Sequence, residues 1–370
     1  MRSVPLSPGE PAPWFKAPTA SRGRFTFDVA AGRVVVLSFL GSSAEPRSAA
    51  LLEAIRAART RFNDADRCFF GVCTDPADER EARVADDEPG IRFFWDFDRE
   101  ISASYGAVRA DGEHLPLTYV LDAALRVVAV FEPDDTGDHV TALFDLLERL
   151  PPAMPAFRAP EHAPVLVLPR IFEPALCEAL CRHYDANGGE DSGFMRDVNG
   201  VTTKIIEHGH KRRRDCTIGD EALRRACMVR IHDRLVPEIR KAFQFQATRM
   251  ERYIVACYDA AEAGHFRPHR DNTTRGTAHR RFAVSLFLNT GEYDGGLLRF
   301  PEFGSAVYSA PRGGAVVFSC SLLHEATAVT SGRRYMFLPF LYDDAGRRVR
   351  EDNLRFLDPA VGGAAGSDPP

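Results

Sequence analysis

The sequence lacks the features that mark membrane-spanning, secreted and disulfide-stabilised proteins. No apolar run approaches the roughly 20 residues that a membrane helix needs, and the first residues, MRSVPLSPGEPAPWF, contain no apolar core like that of a signal peptide. The eight cysteines form no C-x-x-C pair and are scattered through apolar segments, which is typical of reduced, buried thiols. Cys177 and Cys181 lie four residues apart in a predicted helix, where a packed face is favoured over a zinc half-site. We therefore predict a cytoplasmic protein with free cysteines.

The sequence also lacks a strong excess of charge of either sign. Its formal net charge is -5 over 370 residues, which gives no reason to expect a nucleic-acid or membrane partner. Hydrophobic residues make up 45% and charged residues 27% of the chain, as in ordinary globular proteins. A chain of this length exceeds what one hydrophobic core usually serves, so two domains are expected.

Prolines are concentrated in one segment, RLPPAMPAFRAPEHAPV, which cannot be regular helix or central strand. We predict a semi-rigid linker over residues 151–164. It separates a first domain, residues 1–150, from a second domain, residues 165–358. The last residues, 359–370, read PAVGGAAGSDPP and are predicted to form a disordered tail.

The two predicted domains differ in pattern. The first alternates buried-strand patterns such as RVVVLSFL with helical patterns such as PRSAALLEAIRAARTRF and ADEREARVA, which predicts an α/β layered domain around a central sheet. The second begins with helical segments and changes after Arg252 to short strands, including RYIVACY, RFAVSLFLN and GAVVFSC. Turn signals such as TGEYDGG and PRGG separate these strands, so we predict a β-sandwich or barrel with helices packed outside.

One short stretch of the second domain, GHFRPHRDN, places His269 and Asp271 two positions apart. Residues i and i+2 of an extended chain project to the same side, so this imidazole and carboxylate could bind one cation. Taken alone, the pair is better explained as a solvated loop. His324 follows at the end of an apolar strand, and Arg334 lies near the start of the last strong strand. Two histidines and one carboxylate form the facial triad of non-haem Fe(II) oxygenases, and the planar guanidinium of arginine suits a carboxylate ligand.

The stretch from about Arg252 to Tyr342 resembles the Fe(II)/2-oxoglutarate-dependent dioxygenases, and most of all their prolyl-hydroxylase branch. The segments that carry the resemblance are VACYDAAEAGHFRPHRDN, RFAVSLFLN, YDGGLLRFPE and HEATAVTSGRRY, in that order. The resemblance implies a double-stranded β-helix, or jelly roll, with the metal inside it. It also implies that His269, Asp271 and His324 are the metal ligands.

The same resemblance implies a cosubstrate site. Arg334 would hold the distal carboxylate of 2-oxoglutarate, with Arg333 as its rival on the opposite side of the strand. The family places this arginine just before an aromatic residue, which favours Arg334. Tyr258 resembles a family tyrosine that reaches the cosubstrate or substrate pocket, and the alternative is a buried tyrosine bonded to a backbone carbonyl. Phe287 stands where some relatives carry a cosubstrate-binding tyrosine, and it cannot donate a hydrogen bond.

The implied activity is hydroxylation of an unactivated C–H bond. Fe(II) would be the cofactor, 2-oxoglutarate and O2 the cosubstrates and ascorbate a candidate reductant, with succinate and CO2 released. The branch suggests a prolyl or other side chain of a peptide or protein as substrate, and a small amino acid or natural product is the alternative. A basic stretch, KIIEHGHKRRRDC, precedes the β core. It could favour an acidic substrate, but a solvated loop is the preferred interpretation of Lys204 and residues 211–214.

Residues from about 5 to 150 resemble the peroxiredoxin/thioredoxin-like superfamily, through LSPGEPAPWF, WDFDREISASYGA and LPLTYVLDAALRVVAVFE. The family's peroxidatic cysteine belongs at the start of the helix after VVVLSFL, where this chain has GSSAEPRS, and no cysteine precedes Cys68. Cys68 and Cys73 both fall in a predicted buried strand. Because a thiolate is the required nucleophile, we predict a non-catalytic thioredoxin-like domain.

Two other classes of function fit parts of the sequence. One is a thiol or redox enzyme in which the jelly roll only binds, and the missing cysteine counts against it. The other is a scaffold protein, which predicts no consumption of 2-oxoglutarate. The complete set of metal ligands has no purpose in either, so the dioxygenase is the leading hypothesis.

Overall fold

The chain divides inside its proline-rich segment. In the computed structural model, which describes residues 4–21, 23–133, 138–152 and 158–359, unit 1 comprises Met1–Phe157 and unit 2 comprises Arg158–Pro370. The boundary falls within the predicted linker, residues 151–164. Of the predicted tail, residues 360–370 lie outside the described residues. No helix in the described part of the chain is long and apolar enough to cross a membrane.

Unit 1 is built on a five-stranded sheet, beside which lies a small two-stranded ladder. Its strands are β1 (Lys16–Ala17), β2 (Phe25–Thr26), β3 (Val34–Gly41), β4 (Arg67–Cys73), β5 (Ile91–Trp95), β6 (Leu117–Leu121) and β7 (Val127–Phe131). Its α-helices are α1 (Pro46–Ala57), α2 (Pro76–Arg80), α3 (Glu100–Ser104) and α4 (Asp138–Arg149). The order in the sheet is β5-β4-β3-β6-β7. Strands β3, β4 and β5 are parallel to one another, and β6 pairs antiparallel with both β3 and β7.

The central strand β3 is apolar at nearly every position because both faces of the sheet are covered. Val35 and Leu37 belong to the hydrophobic core on one face, whereas Val36 and Leu40 belong to the core on the other, together with residues of α1 and α4. Each fully buried aliphatic or aromatic side chain contributes on the order of 1.5–3 kcal/mol to stability. The α/β thioredoxin-like prediction is confirmed, although α2 is shorter than the helical pattern suggests.

Unit 2 contains mostly short strands. They are β8 (Leu166–Leu168), β9 (Glu190–Asp191), β10 (Phe194–Val198), β11 (Val201–Ile205), β12 (Lys211–Arg212), β13 (Arg214–Thr217), β14 (Arg249–Glu251), β15 (Ile254–Asp259), β16 (His265–His269), β17 (Phe282–Phe287), β18 (Tyr293–Gly295), β19 (Leu298–Arg299), β20 (Val307–Tyr308), β21 (Ala315–Ser319), β22 (His324–Ala326), β23 (Val329–Phe337) and β24 (Phe340–Tyr342). Its α-helices are α5 (Pro174–Asn187), α6 (Glu221–Arg230), α7 (Val236–Phe243) and α8 (Asp344–Asn353).

Two antiparallel sheets form the jelly roll that the sequence predicts. The larger has the order β14-β24-β17-β23-β15-β13-β9, with β21 paired to β17 and to β8, and β18 paired to β23. The smaller has the order β12-β16-β22-β19-β20. Alternate residues of β17 face different cores, because Ala283 and Phe287 pack in one apolar cluster while Val284 and Leu286 pack against the helices in another. The metal-binding candidates come from the smaller sheet.

The long helical segment before the β core is interrupted near Pro237. A π-helical turn, Ile231–Leu235, joins α6 to α7, and Pro237 lies in the first turn of α7. This position suits proline because a first-turn residue has no intrahelical acceptor for its missing N–H.

All eight cysteines are free, and Cys177 is fully buried in the core beneath the helices of unit 2. Among the described residues, the one group of three candidate metal ligands includes neither Cys177 nor Cys181. This arrangement agrees with a packed helix face.

Candidate metal centre

The two predicted histidine ligands are cross-strand neighbours. His269 ends β16 and His324 begins β22, and the antiparallel register places their Cα atoms directly opposite one another. Asp271 follows β16 by two residues, and its backbone N–H donates to the carbonyl of Cys320 at 3.0 Å. Its carboxylate lies between the rings, with Oδ1 3.6 Å from Nε2 of His269 and Oδ2 3.3 Å from Nε2 of His324. One ligand atom from each residue lies within 4.8 Å of the others.

Both imidazoles are oriented by the backbone. Nδ1 of His269 lies 2.8 Å from the carbonyl oxygen of Arg267, and Nδ1 of His324 lies 3.0 Å from that of Leu322. A carbonyl oxygen can only accept, so each Nδ1 carries the proton and each Nε2 lone pair is left for a metal.

The surroundings of the triad keep His324 and Asp271 in the protonation states that bind a cation. Burial, reinforced by the neighbouring His269, lowers the pKa of His324 to about 4, so its ring is neutral. Burial by itself would raise the pKa of Asp271, but the two imidazoles hold that pKa below its usual range and the group stays a carboxylate. Two imidazoles and one carboxylate are a donor set that suits Fe(II).

Arg334 and Arg333 face opposite sides of β23. Arg334 is 1% exposed, whereas the side chain of Arg333 is 58% exposed and pairs with Asp259 at 3.0 Å. The guanidinium of Arg334 lies over the rings of Tyr258 and Phe287, at 5.0 and 5.2 Å. Its buried Nε has no hydrogen-bond partner among the described residues. A buried arginine without an acceptor fits a site that a carboxylate ligand completes.

Arg334 and the triad line the same small cavity of about 60 Å³. Gly296, in the Gly-Gly turn after β18, makes room for the arginine, because a Cβ there would lie 2.5 Å from Cδ of Arg334. The backbone of Gly296 also has a φ of +61°, which favours glycine. The Gly-Gly turn of the segment YDGGLLRFPE therefore leaves space for the side chain of Arg334.

Tyr258 lies on β15 directly opposite Arg334. Its hydroxyl accepts a hydrogen bond from Nη1 of Arg213 at 3.3 Å, so the partner is a side chain and not the backbone carbonyl that the alternative required. Arg213 also pairs with Asp215 at 2.7 Å. Tyr258 therefore connects the cavity to a buried charged cluster.

The preferred interpretation of the basic stretch as a solvated loop is wrong for two of its residues. Lys211 and Arg213 are each 5% exposed, because side chains alternate in direction along the extended chain that runs from β12 into β13. The ammonium of Lys211 donates to Ser192 Oγ at 2.7 Å and to the carbonyl of Gly193 at 2.6 Å. The sequence does contain a pattern that indicates this burial, because Lys211, Arg213 and Asp215 are spaced two residues apart before an apolar strand.

A second charged cluster was also missed. The carboxylate of Glu251 lies 3.1 Å from Nε2 of His279 and 2.7 Å from Nε of Arg280. Both clusters border an open groove of about 770 Å³ that reaches His269 and Asp271. His279 is 2% exposed and belongs to this cluster.

Two families match different parts of the chain. Residues 253–342 match the 2OG-Fe(II) oxygenase superfamily, and residues 8–130 match the AhpC/TSA family. The chain is an AhpC/TSA domain fused to a 2OG-Fe(II) oxygenase domain. All three triad residues, Tyr258 and Arg334 lie within the oxygenase match. Such a domain uses Fe(II), 2-oxoglutarate and O2, and the observed donor set and the unpartnered guanidinium of Arg334 fit the first two.

Individual relatives cover only parts of this fusion. The PKHD-type hydroxylase azo0608 of Azoarcus sp. (strain BH72) is 32% identical over 99 residues, which are 24% of this chain and 44% of that protein. The chain thus spans less than half the length of this curated relative.

Solved structures resemble each domain separately. A prolyl hydroxylase from Trichoplax adhaerens, in complex with a hypoxia inducible factor peptide fragment, covers 50% of this chain and 86% of its own, with 15% identity and a TM-score of 0.38. Peroxidoxin BcpB from Mycobacterium tuberculosis covers 40% of this chain and 99% of its own, with 20% identity and a TM-score of 0.34.

In the AhpC/TSA domain, hydroxyl groups stand near the expected site of the peroxidatic cysteine. Ser43 precedes α1 and donates its hydroxyl to Asp78 at 2.6 Å, and Ser42 donates to Asp75 at 2.8 Å. Cys68 and Cys73 are fully buried within β4. Burial raises the pKa of Cys68 to about 12 and also raises that of Cys73. A thiol in such surroundings does not ionise near neutral pH.

We expect the full-length protein to show no thiol-dependent peroxide turnover above the rate without protein. Hydrogen peroxide consumption with dithiothreitol or thioredoxin as reductant measures this. The Cys73→Ser variant should give the same trace as the wild type. Turnover by the wild type that is lost in Cys73→Ser would overturn the prediction that this domain is non-catalytic.

Proposed function

We propose that the oxygenase domain is an Fe(II)- and 2-oxoglutarate-dependent hydroxylase of an unactivated C–H bond. The observation that carries the proposal is the shared cavity in which His269, Asp271 and His324 meet the unpartnered guanidinium of Arg334. A candidate cation site and a candidate anion site in one small cavity match a ligand that is chelated at one end and carries a carboxylate at the other. The overall reaction converts substrate C–H, 2-oxoglutarate and O2 into C–OH, succinate and CO2.

Three residues would hold the iron, and the chain's other groups would position the cosubstrate. When bound, Fe(II) supplies O2 activation coupled to the decarboxylation of 2-oxoglutarate. The carbonyl groups of Arg267 and Leu322 keep the two imidazoles in the tautomer that presents Nε2. Arg334 would bind the distal carboxylate with its fork of donors.

The cavity walls also serve the proposed reaction by excluding water. Phe318 packs against His324 with ring centroids 4.6 Å apart, and Phe266 stacks on His269. Tyr258 and Phe287 cover the guanidinium of Arg334. A dry site strengthens the attraction between Arg334 and a carboxylate. Tyr258 would additionally direct its hydroxyl toward the cosubstrate, while Phe287 contributes only apolar contact.

For the substrate, we propose a prolyl or other side chain of a peptide or protein, with a small amino acid or natural product as the alternative. The hydroxylase name of the Azoarcus relative supports hydroxylation as the outcome. The groove beside the triad is large enough, at about 770 Å³, for either class.

The test is succinate release from 2-oxoglutarate by protein that is loaded with Fe(II) under nitrogen and then exposed to air, with ascorbate present. The wild type should form succinate, slowly without substrate and faster with a substrate. Iron-free protein and protein loaded with Zn(II) are the controls. A wild-type protein that binds iron but releases no more succinate than these controls would count against the proposed function and favour a scaffold role.

A further inference from the structure

The walls of the groove and cavity carry more positive than negative charge close to the triad. Three of the lining carboxylates are buried or half-buried, namely Asp215, Glu251 and Asp271. Eight cationic side chains of the same walls are buried or half-buried, namely Lys211, Arg213, Arg224, Arg252, Arg270, Arg280, Arg334 and Arg350. Bound Fe(II) and the 2-oxoglutarate dianion have equal and opposite charges, so they leave this excess unchanged. Charges on the exposed rim are of both signs and are screened by solvent.

Two of these cations, Arg252 and Arg280, keep donors that nothing in the described part of the chain accepts. Nη2 of Arg252 donates to Asp215 at 3.2 Å, and its Nε and Nη1 have no acceptor. Nε of Arg280 donates to Glu251 at 2.7 Å and its Nη1 to the backbone carbonyl of Asp271 at 3.4 Å, which leaves Nη2. Both residues line the groove, and Arg280 contacts a residue of the triad directly.

The two guanidinium groups share one apolar support. Both lie over the ring of Phe340, that of Arg252 at 5.2 Å and that of Arg280 at 4.0 Å from the ring centroid. Stacking on an aromatic ring holds a guanidinium in place while leaving its edge donors available. The arrangement therefore presents a fixed pair of cations to a ligand in the groove.

Keeping these side chains charged is unfavourable in the protein, because they are buried beside other cations. Burial, and then the neighbouring Arg213, lowers the pKa of Arg252 to about 10. The same two causes lower the pKa of Lys211 well below its ordinary value, and with a neutral Lys211 the cations still outnumber the carboxylates. The backbone of Arg252 also adopts a φ of +68°, which is unfavourable for an arginine. Strained and like-charged groups of this kind concentrate at binding sites.

We propose that Arg252 and Arg280 bind an anionic group of the substrate, a carboxylate or a phosphate, beside the C–H bond that is hydroxylated. This inference rests on the proposed function, since it names the class of substrate for the same site. An anion there would accept from the free donors of both arginines and offset the excess positive charge. It applies equally to an acidic residue of a peptide and to a small acidic metabolite.

The probes are inorganic phosphate and acetate, titrated separately by calorimetry into full-length protein already loaded with stoichiometric Mn(II) and saturating 2-oxoglutarate. Saturation with 2-oxoglutarate fills the site of Arg334, so binding reports on a second anion site. The variants are Arg252→Gln and Arg280→Gln. Arg281→Gln is the matched control, because Arg281 is adjacent in sequence to Arg280, its guanidinium donates to the backbone carbonyl of Ala278 at 2.9 Å, and it lines neither cavity.

At least one of the two anions should bind the wild type and the Arg281→Gln control with equal affinity. It should bind Arg252→Gln and Arg280→Gln about 10-fold or more weakly, since each of these variants loses a charge-assisted hydrogen bond. A preference for phosphate or for acetate identifies which anion the substrate carries. Equal binding to all four proteins, or no binding to the wild type, would overturn the inference.

Arg252→Lys and Arg280→Lys cover the case in which a Gln variant does not fold. They keep the charge and should retain binding that falls as sodium chloride is raised, and Lys variants that bind no anion would also overturn the inference. Failure of the proposed function is separate, because it appears as absent 2-oxoglutarate binding and absent succinate release in the wild type.

Discussion

Replacement of His269 by alanine is expected to abolish Fe(II) binding and succinate release. The variant leaves one imidazole and one carboxylate, and a two-donor site does not hold a divalent ion against water. Changes to groups that merely orient metal ligands already cost about 10- to 100-fold in metal affinity, so loss of a ligand itself should exceed about 100-fold. Iron content after anaerobic loading and desalting, together with succinate formation on exposure to air, measures the effect.

His265→Ala is the matched control for this prediction. His265 begins the same strand, β16, and its ring nitrogens lie 2.8 Å and 3.3 Å from the carbonyl oxygens of Ala263 and Gly209. It is not part of the triad, so iron binding should stay close to that of the wild type. If both variants retained iron, or if His265→Ala alone lost it, the metal centre would not be where we place it.

Replacement of Arg334 by alanine is expected to weaken 2-oxoglutarate binding by about 100-fold or more while leaving iron binding intact. The guanidinium would make two charge-assisted hydrogen bonds to the distal carboxylate, each worth about 1.5–3 kcal/mol. Within the described part of the chain it makes no hydrogen bond or ion pair with the three ligand side chains, so the metal should be unaffected. The KM for 2-oxoglutarate and the iron content of the same preparation provide the two measurements.

Arg333→Ala tests the assignment from the other side of the strand. Arg333 is exposed and pairs with Asp259, and surface pairs of this kind contribute roughly 0–1 kcal/mol. The KM of this variant for 2-oxoglutarate should match the wild type. A large rise in KM for Arg333→Ala, with none for Arg334→Ala, would show that the cosubstrate approaches from outside the jelly roll.

Much of the fold could be predicted because the apolar pattern reflects how many faces of a strand are buried. Strand β3 is apolar at nearly every position since helices cover both faces of its sheet, and this pattern alone indicated an α/β layer. In unit 2, short strands separated by glycine-rich turns indicated the jelly roll. Helix lengths were less accessible: α2 ends at Arg80, before the helical pattern does, because tertiary packing and not local propensity decides such ends.

The candidate ligands were accessible from sequence because each belongs to a local motif. His269 and Asp271 lie two residues apart, and a single strand register brings His324 opposite His269. Similarly, alternation along β23 required one of Arg333 and Arg334 to face inward. Sequence alone could not choose between them, and the choice rested on resemblance until the structure showed Arg334 buried.

The sequence by itself determined the division into two units, the strand-forming segments and the three candidate metal ligands that the structure brings together. Only the tertiary structure decided that Lys211 and Arg213 are buried and that Arg252 and Arg280 meet over Phe340. The physical reason is that the burial of a charge depends on neighbours from distant strands. Asp215, Glu251 and Phe340 supply those neighbours here, and no local pattern records which of them a given cation will meet.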